Sequence, residues 1–105
     1  MKSATEIQMD FKQAIKRAEE LEEIAGGIDR LANKNLEETL QELSLAWKGE
    51  AGDLYLQKAL ALKEKILKSA KDLKSTASTI RNIARRVYDA EMRAYRLAME
   101  RKYKR

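Results

Sequence analysis

Apolar residues recur at alternating steps of three and four positions along most of this 105-residue chain, and no proline interrupts them. A spacing of this kind is typical of α-helices that bury one stripe against another helix. Since proline breaks helix interiors, its absence permits helices of several tens of residues. Leu, Ala, Glu, Lys and Arg dominate the composition, as in long helices and coiled coils. The pattern predicts an all-α protein.

The first periodic segment opens with Ser3-Ala-Thr-Glu6, which fits a capping box at a helix start. Its apolar spacing later shifts to a second register, as in a coiled-coil stutter. Gly26-Gly27 and Asn33-Lys34-Asn35 are weak helix formers in its interior. We expect one helix over about residues 4–46 that is bent or irregular near residues 26–35, and whether the glycines break it stays open.

The second periodic segment predicts a helix over about residues 53–98. Lys63 and Glu91 occupy positions of its apolar seam where a core residue is expected. A buried charge is costly unless it is paired or solvated, so we expect Glu91 to face water where the helices have splayed. Residues 99–105 are strongly basic with little apolar content, and we expect this tail to be frayed or disordered.

The two segments meet at Trp47-Lys48-Gly49, which contains the single tryptophan of the chain. Gly49 can take the left-handed backbone that ends a helix, and Gly52 allows the chain to pass closely. Ala51 and Tyr55 are four positions apart, so we expect them to face back toward the tryptophan. Residues 47–52 therefore predict the bend of an antiparallel helix–turn–helix hairpin.

A single hairpin of this length leaves apolar surface uncovered. Each arm of about 40 residues is about 60 Å long, and two helices alone build no compact core. We expect residues 1–98 to form one helical hairpin that dimerises, as a homodimer or with a related hairpin, into a four-helix bundle. The candidate residues of the dimer seam are Ile7, Phe11, Leu21, Ile28, Ile66, Leu73 and Ile80.

Charge divides unevenly along the chain, with a balance of −4 over residues 1–50 and +9 over residues 51–105. The favoured interpretation is attraction between two arms of opposite sign, at about 0–1 kcal/mol for each exposed pair. Glutamates on the outer face of the first helix, such as Glu37 and Glu38, are expected to be solvated. The alternative is nucleic-acid binding by the basic residues of the second segment. It is less favoured, because these residues are not interleaved with aromatic residues on which bases could stack. Those residues are Arg81, Arg85, Arg86, Arg93, Arg96 and the basic residues of the tail.

The residue types present exclude much enzyme chemistry. The chain has no His and no Cys, hence no imidazole base, thiol nucleophile or soft metal ligand, and it has no Gly-rich phosphate loop. We predict no catalysis, no cofactor, no metal and no small-molecule substrate. Neither a secretory signal peptide nor an apolar run of about 20 residues is present, so export of this protein would be leaderless.

Trp47, Gly49, Ala51 and Tyr55 together resemble the W-x-G-x-A-x-x-x-[FY] signature of the WXG family, the ESAT-like small proteins of type VII secretion. The resemblance implies a protein made in the cytoplasm and exported as a dimer without a cleavable signal. It also implies an extracellular location, a role in virulence or toxin export, and the secretion ATPase as a partner. In that case the four residues form the bend half of a secretion signal.

The resemblance further implies a C-terminal export motif, a Tyr or hydrophobic residue four positions before an acid. Tyr88 is not followed by an acid at that distance, and the nearest match is Val87 with Glu91, then Ala94 and Ala98. This departure leaves two roles open. The chain is either a secreted dimer with its own signal or a targeting partner that binds the helical N-terminal domain of a larger type VII toxin.

Overall fold

The computed structural model describes residues 1–103, of which 94% are helical and none lie in a strand. Helix α1 spans Ala4–Arg30 and continues into a π-helix over Leu31–Leu36, and α2 spans Glu37–Ala46. Helix α3 spans Glu50–Tyr103. The predicted all-α class is confirmed. Within the described range, no helix has the combination of length and apolarity that crossing a membrane requires.

The predicted second helix, which is α3 in the structure, is longer than expected at both ends. It begins at Glu50 rather than near residue 53, and it continues to Tyr103 rather than ending near residue 98. The expectation of a frayed or disordered tail is therefore wrong for residues 99–103, where no glycine or proline interrupts the helix. Arg101 and Lys102 in the last turn also favour the negative end of the helix dipole. The remaining part of that tail, residues 104 and 105, lies outside the described residues.

Gly26 and Gly27 lie within the regular α-helix α1, so they do not break it. A Cβ atom added to Gly26 would lie 3.5 Å from the nearest Arg30 side-chain atom, which is ordinary van der Waals contact. The irregular stretch begins after them, at the π-helix. The start of α1 is capped by Ser3, whose Oγ accepts a hydrogen bond from the Glu6 backbone N–H at 3.1 Å.

The chain divides into two units, each built from antiparallel helices. The terminal unit comprises Met1–Leu21 and Ser75–Arg105, and the bend unit comprises Glu22–Lys74. In the terminal unit, Lys2 contacts Glu91 and Phe11 contacts Tyr88, so rising residue numbers on α1 meet falling numbers on α3.

The bend unit is an antiparallel hairpin in its own right. Trp47 contacts Tyr55, Glu37 contacts Lys63 and Asp29 contacts Lys74, so the pairs open outward from the bend in order.

Small side chains make up most of the buried core. Alanines at seven-residue steps let the axes of two helices approach closely, because they carry a single methyl group. No large side chain among the described residues is fully buried, so close contact between backbones replaces a core of large residues. The buried set is Ile7, Ala18, Ala77 and Ala84 in the terminal unit and Ala25, Ala32, Leu40 and Ala70 in the bend unit.

The π-helix keeps these buried positions on one side of the first arm. Ala25 and Ala32 are seven residues apart, but the next buried residue, Leu40, follows Ala32 by eight. In a continuous α-helix, one extra residue would turn Leu40 about 100° away from α3. A π-helical turn takes up the extra residue, so Leu40 remains buried. The expected drift of the seam around the helix is thereby avoided.

Deleting the exposed residue Asn33 should be tolerated, because it restores a seven-residue step between Ala32 and Leu40 and permits a regular α-helix. We expect a melting temperature equal to or above that of the wild type by circular dichroism. Deletion of exposed Glu23 is the matched control. It shortens the step between Ala18 and Ala25 to six and should lower the melting temperature by about 10 °C or more. Equal losses from both deletions would show that the π-helix does not set the register.

Candidate functional site

The bend brings together the aromatic residues that were predicted to face each other. Trp47 ends α2 with an extended backbone, and its N–H donates to the Leu43 carbonyl at 2.8 Å. The ring centroids of Trp47 and Tyr55 are 4.9 Å apart with planes inclined by 35°, which is favourable aromatic geometry. Trp47 is 40% exposed, and Ala51 and Tyr55 are exposed as well. The tryptophan is therefore part of the surface rather than a buried plug.

Two glycines make this turn possible. Gly49 has a φ of +115°, in the region that residues with a side chain rarely adopt, and its carbonyl accepts the Asp53 N–H at 3.0 Å to start α3. Gly52 is buried, and a Cβ added to it would lie 2.2 Å from the Trp47 carbonyl oxygen. The close passage expected at Gly52 is thus confirmed, and it fixes Trp47 over the start of α3.

The candidate export motif lies in the terminal unit. Val87 and Ala94 are exposed, whereas Glu91 and Ala98 are half-buried. The Glu91 carboxylate lies 3.3 Å from the Lys2 ammonium, which also lies 2.9 Å from the Asp10 carboxylate. The expectation that Glu91 faces water without a partner is therefore wrong, because Lys2, in the segment just before α1, pairs with it.

These two carboxylates also act on the charge of Lys2. Hydrogen bonds and charge attraction from Asp10, and then from Glu91, raise the pKa of Lys2 above its ordinary value. Both carboxylates therefore favour the charged form of this ammonium.

Lys63, the other charged position of the second seam, has a partner in the bend unit. Its ammonium lies 2.5 Å from the Glu37 carboxylate, and this hydrogen bond lowers the pKa of Glu37. The expectation that Glu37 faces solvent is wrong, since the charge on α3 draws it toward the helix contact. Glu38, its neighbour, is exposed as expected.

Two of the candidate dimer-seam residues are engaged within the terminal unit. Ile7 is 2% exposed. The Phe11 ring lies 5.0 Å from the Tyr88 ring and 4.9 Å below the Arg85 guanidinium. The other candidates are half-buried and keep apolar surface available for a partner. They are Leu21, Ile28, Ile66, Leu73 and Ile80.

An apolar groove of about 270 Å³ lies between α1 and α3 in the terminal unit. This groove could not be predicted from the sequence alone, because its position depends on the register between α1 and α3. The sequence does contain a signal for a groove, which is the alternation of small and large apolar residues. Alanines at one heptad position, beside isoleucines at a neighbouring heptad position, leave a depression with apolar walls. Its walls include Ile7, Ala14, Ile80, Ile83 and Val87, and its rim includes Lys2, Asp10 and Glu91.

No family model, curated protein or solved structure matches this chain.

Gly52→Ala should be strongly destabilising, because the new methyl group would overlap the Trp47 carbonyl oxygen and force the backbone of the bend to move. We expect a loss of about 2 kcal/mol or more in the free energy of unfolding, measured by urea denaturation. Gly26→Ala is the control. It meets only the Arg30 side chain at ordinary distance and should stabilise by about 0.5–1 kcal/mol. A neutral Gly52→Ala variant would contradict the proposed close contact.

Glu37→Gln should lower the melting temperature at neutral pH and have no effect in strong acid. The pKa of Glu37 is lowered in the folded protein, so the stability it contributes is present above the ordinary carboxyl value of 4.5. That contribution is lost as the pH falls through the lower folded pKa. Melting curves at pH 7 and at about pH 2.5 test this. Glu38→Gln is the control and should be neutral at both, and a pH-independent effect of Glu37→Gln would refute the ion pair.

Proposed function

We propose that this chain is a small WXG-type protein that pairs with a second helical hairpin in a four-helix bundle and is exported, without a cleavable signal, by a type VII secretion system. The observation that carries the proposal is the bend. An exposed Trp47 stacks on Tyr55, Gly49 supplies a positive φ, and Gly52 holds the tryptophan backbone against α3.

This geometry suits recognition by another protein. The Trp47 and Tyr55 rings form one exposed aromatic surface on a rigid turn. Tryptophan and tyrosine are enriched among the residues that contribute most to protein interfaces, since they bury much area at little entropic cost. An inward-facing tryptophan would serve the hairpin alone, whereas this one remains available to an export receptor.

Exposed apolar residues at helical spacing support pairing with another hairpin. In the bend unit, Ile24 of α1 and Leu31 at the start of the π-helix are exposed seven positions apart. In the terminal unit, Ile83 and Val87 are exposed four positions apart on α3. Isolated exposed apolar residues are ordinary, but rows at helical spacing favour a helical partner.

The ion pair of Glu91 supports a second role for the same kind of protein. Glu91 is the acid of the candidate export motif, yet Lys2 of the same chain holds its carboxylate. An export receptor would have to compete with that contact. A targeting partner that escorts a larger type VII toxin through the toxin's helical N-terminal domain needs no free acid of its own.

Export can be tested by comparing culture supernatants of the wild type, Trp47→Ala and Glu91→Ala, each with and without the secretion ATPase. We expect ATPase-dependent export that Trp47→Ala abolishes, because the aromatic surface is lost. Leu45→Ala is the control, since Leu45 is an exposed apolar residue just before the bend that lies outside the motif. If Glu91→Ala is no longer exported, the chain carries its own C-terminal export signal. If Glu91→Ala is still exported when a toxin is co-expressed, the chain acts as an escort of that toxin.

Equal ATPase-dependent amounts of the wild type and Trp47→Ala outside the cell would show that the bend is not a signal. Light scattering addresses pairing separately. A stable monomer, both alone and with co-expressed neighbouring proteins, would refute the four-helix bundle.

A further inference from the structure

Helix α3 carries a second apolar row in the terminal unit, beside the buried alanines. Its members, Ile80, Ile83, Val87, Ala90 and Ala94, follow each other at steps of three and four. Ile83 is 54% exposed and Val87 is 47% exposed, and both alanines are exposed. This α3 row is about 21 Å long at 1.5 Å per residue, which is four turns of a partner helix.

The α3 row and the groove form one continuous docking surface within the terminal unit. Ile80, Ile83 and Val87 line the groove opposite Ile7 and Ala14 of α1. The row then continues past the level of Glu91, where Lys2 marks the start of the first arm. Such a surface fits an amphipathic helix of a partner. The partner helix would insert a large side chain into the groove at one end and approach α3 closely at the small residues of the other end.

Two arginines lie along the outer edge of this row. Arg86 and Arg93 each follow a row member by three positions, so they lie on its outer edge about 10.5 Å apart. Both are exposed, and neither has an ion-pair partner within residues 1–103. On the inner edge, Asp10 and Glu91 are already paired with Lys2.

We propose that the partner on this surface is an acidic amphipathic helix of a different protein, with carboxylates two turns apart that face Arg86 and Arg93. The proposal rests on the pairing role above and names the chemistry of the partner. The charges flanking an apolar seam select which helix pairs with it.

A second copy of this chain would not supply those carboxylates from the same row. If two α3 rows packed antiparallel about their midpoint at Val87, Arg86 and Arg93 would face Thr79, Arg86 or Arg93 of the copy. Like charges in such positions oppose pairing. Pairing of two α3 rows is therefore disfavoured.

Two synthetic helical peptides test this with the full-length chain. Both carry the same leucine row, but one is flanked by glutamates at seven-residue steps and the other by lysines. In fluorescence anisotropy at low salt, we expect the glutamate peptide to bind about tenfold more tightly than the lysine peptide. The double variant Arg86→Glu with Arg93→Glu should reverse the preference. Lys12→Glu with Lys16→Glu is the control with the same change of charge on α1, and it should keep the wild-type preference.

Ile83→Asp should abolish binding of the glutamate peptide while its circular dichroism stays helical. Equal binding of both peptides, or a preference that the control variant also reverses, would overturn the proposal. Tighter binding to vesicles with 30% phosphatidylglycerol than to the glutamate peptide would overturn it in favour of a membrane surface. A dimer of the chain alone that Ile83→Asp dissolves would overturn it in favour of a second copy.

The export experiment separates this inference from the proposed function. Charge-selective peptide binding without ATPase-dependent export would support the acidic partner and refute the secretion role. Export without charge-selective binding would remove the acidic partner alone.

Discussion

Close contact between helices through alanine is the interaction on which both units depend. Ala18, Ala77 and Ala84 are buried in the terminal unit, and Ala25, Ala32 and Ala70 are buried in the bend unit. A buried methyl group contributes only about 0.8 kcal/mol, because it removes little apolar area from water. The contact therefore depends on dispersion attraction between closely packed helices. The large residues are displaced to the flanks, where many remain half-buried or exposed. The way the helices pack within the chain thus leaves apolar surface exposed.

In each unit, one charged residue of α3 continues the alanine repeat and specifies the register of the helix contact. Lys63 precedes Ala70 by seven positions and Glu91 follows Ala84 by seven, so both occupy the heptad position of the alanines. Each meets an opposite charge within its own unit, Lys63 with Glu37 and Glu91 with Lys2. A slip of the helices would leave these charges unpaired against apolar surface, which costs more than the pairs contribute in place. Alanine repeats alone look alike at every step of seven, and the two ion pairs remove that ambiguity.

Much of the fold could be predicted from the sequence because it follows from local rules. The proline-free 3.5-residue spacing indicated helices, Ser3 marked the start of α1, and Trp47 with Gly49 marked the bend. What could not be predicted depends on rotation and pairing. The step of eight from Ala32 to Leu40 is visible in the sequence, yet a stutter and a π-helix are equally compatible with it. The partners of Lys63 and Glu91, and the groove in the terminal unit, follow only once α1 and α3 are placed in register.

The π-helix over Leu31–Leu36 also has a consequence for comparing this sequence with others. A π-turn accommodates one residue more than an α-helix between two fixed contacts. Ala32, within the π-helix, and Leu40, after it, are both buried, so the extra residue is accommodated locally and does not shift the bend. A related chain without the extra residue would have an unbroken α-helix here, and its tryptophan would lie one position nearer the amino terminus. A sequence pattern with fixed spacing across this stretch would match only one of two such sequences, although both would bury the same positions.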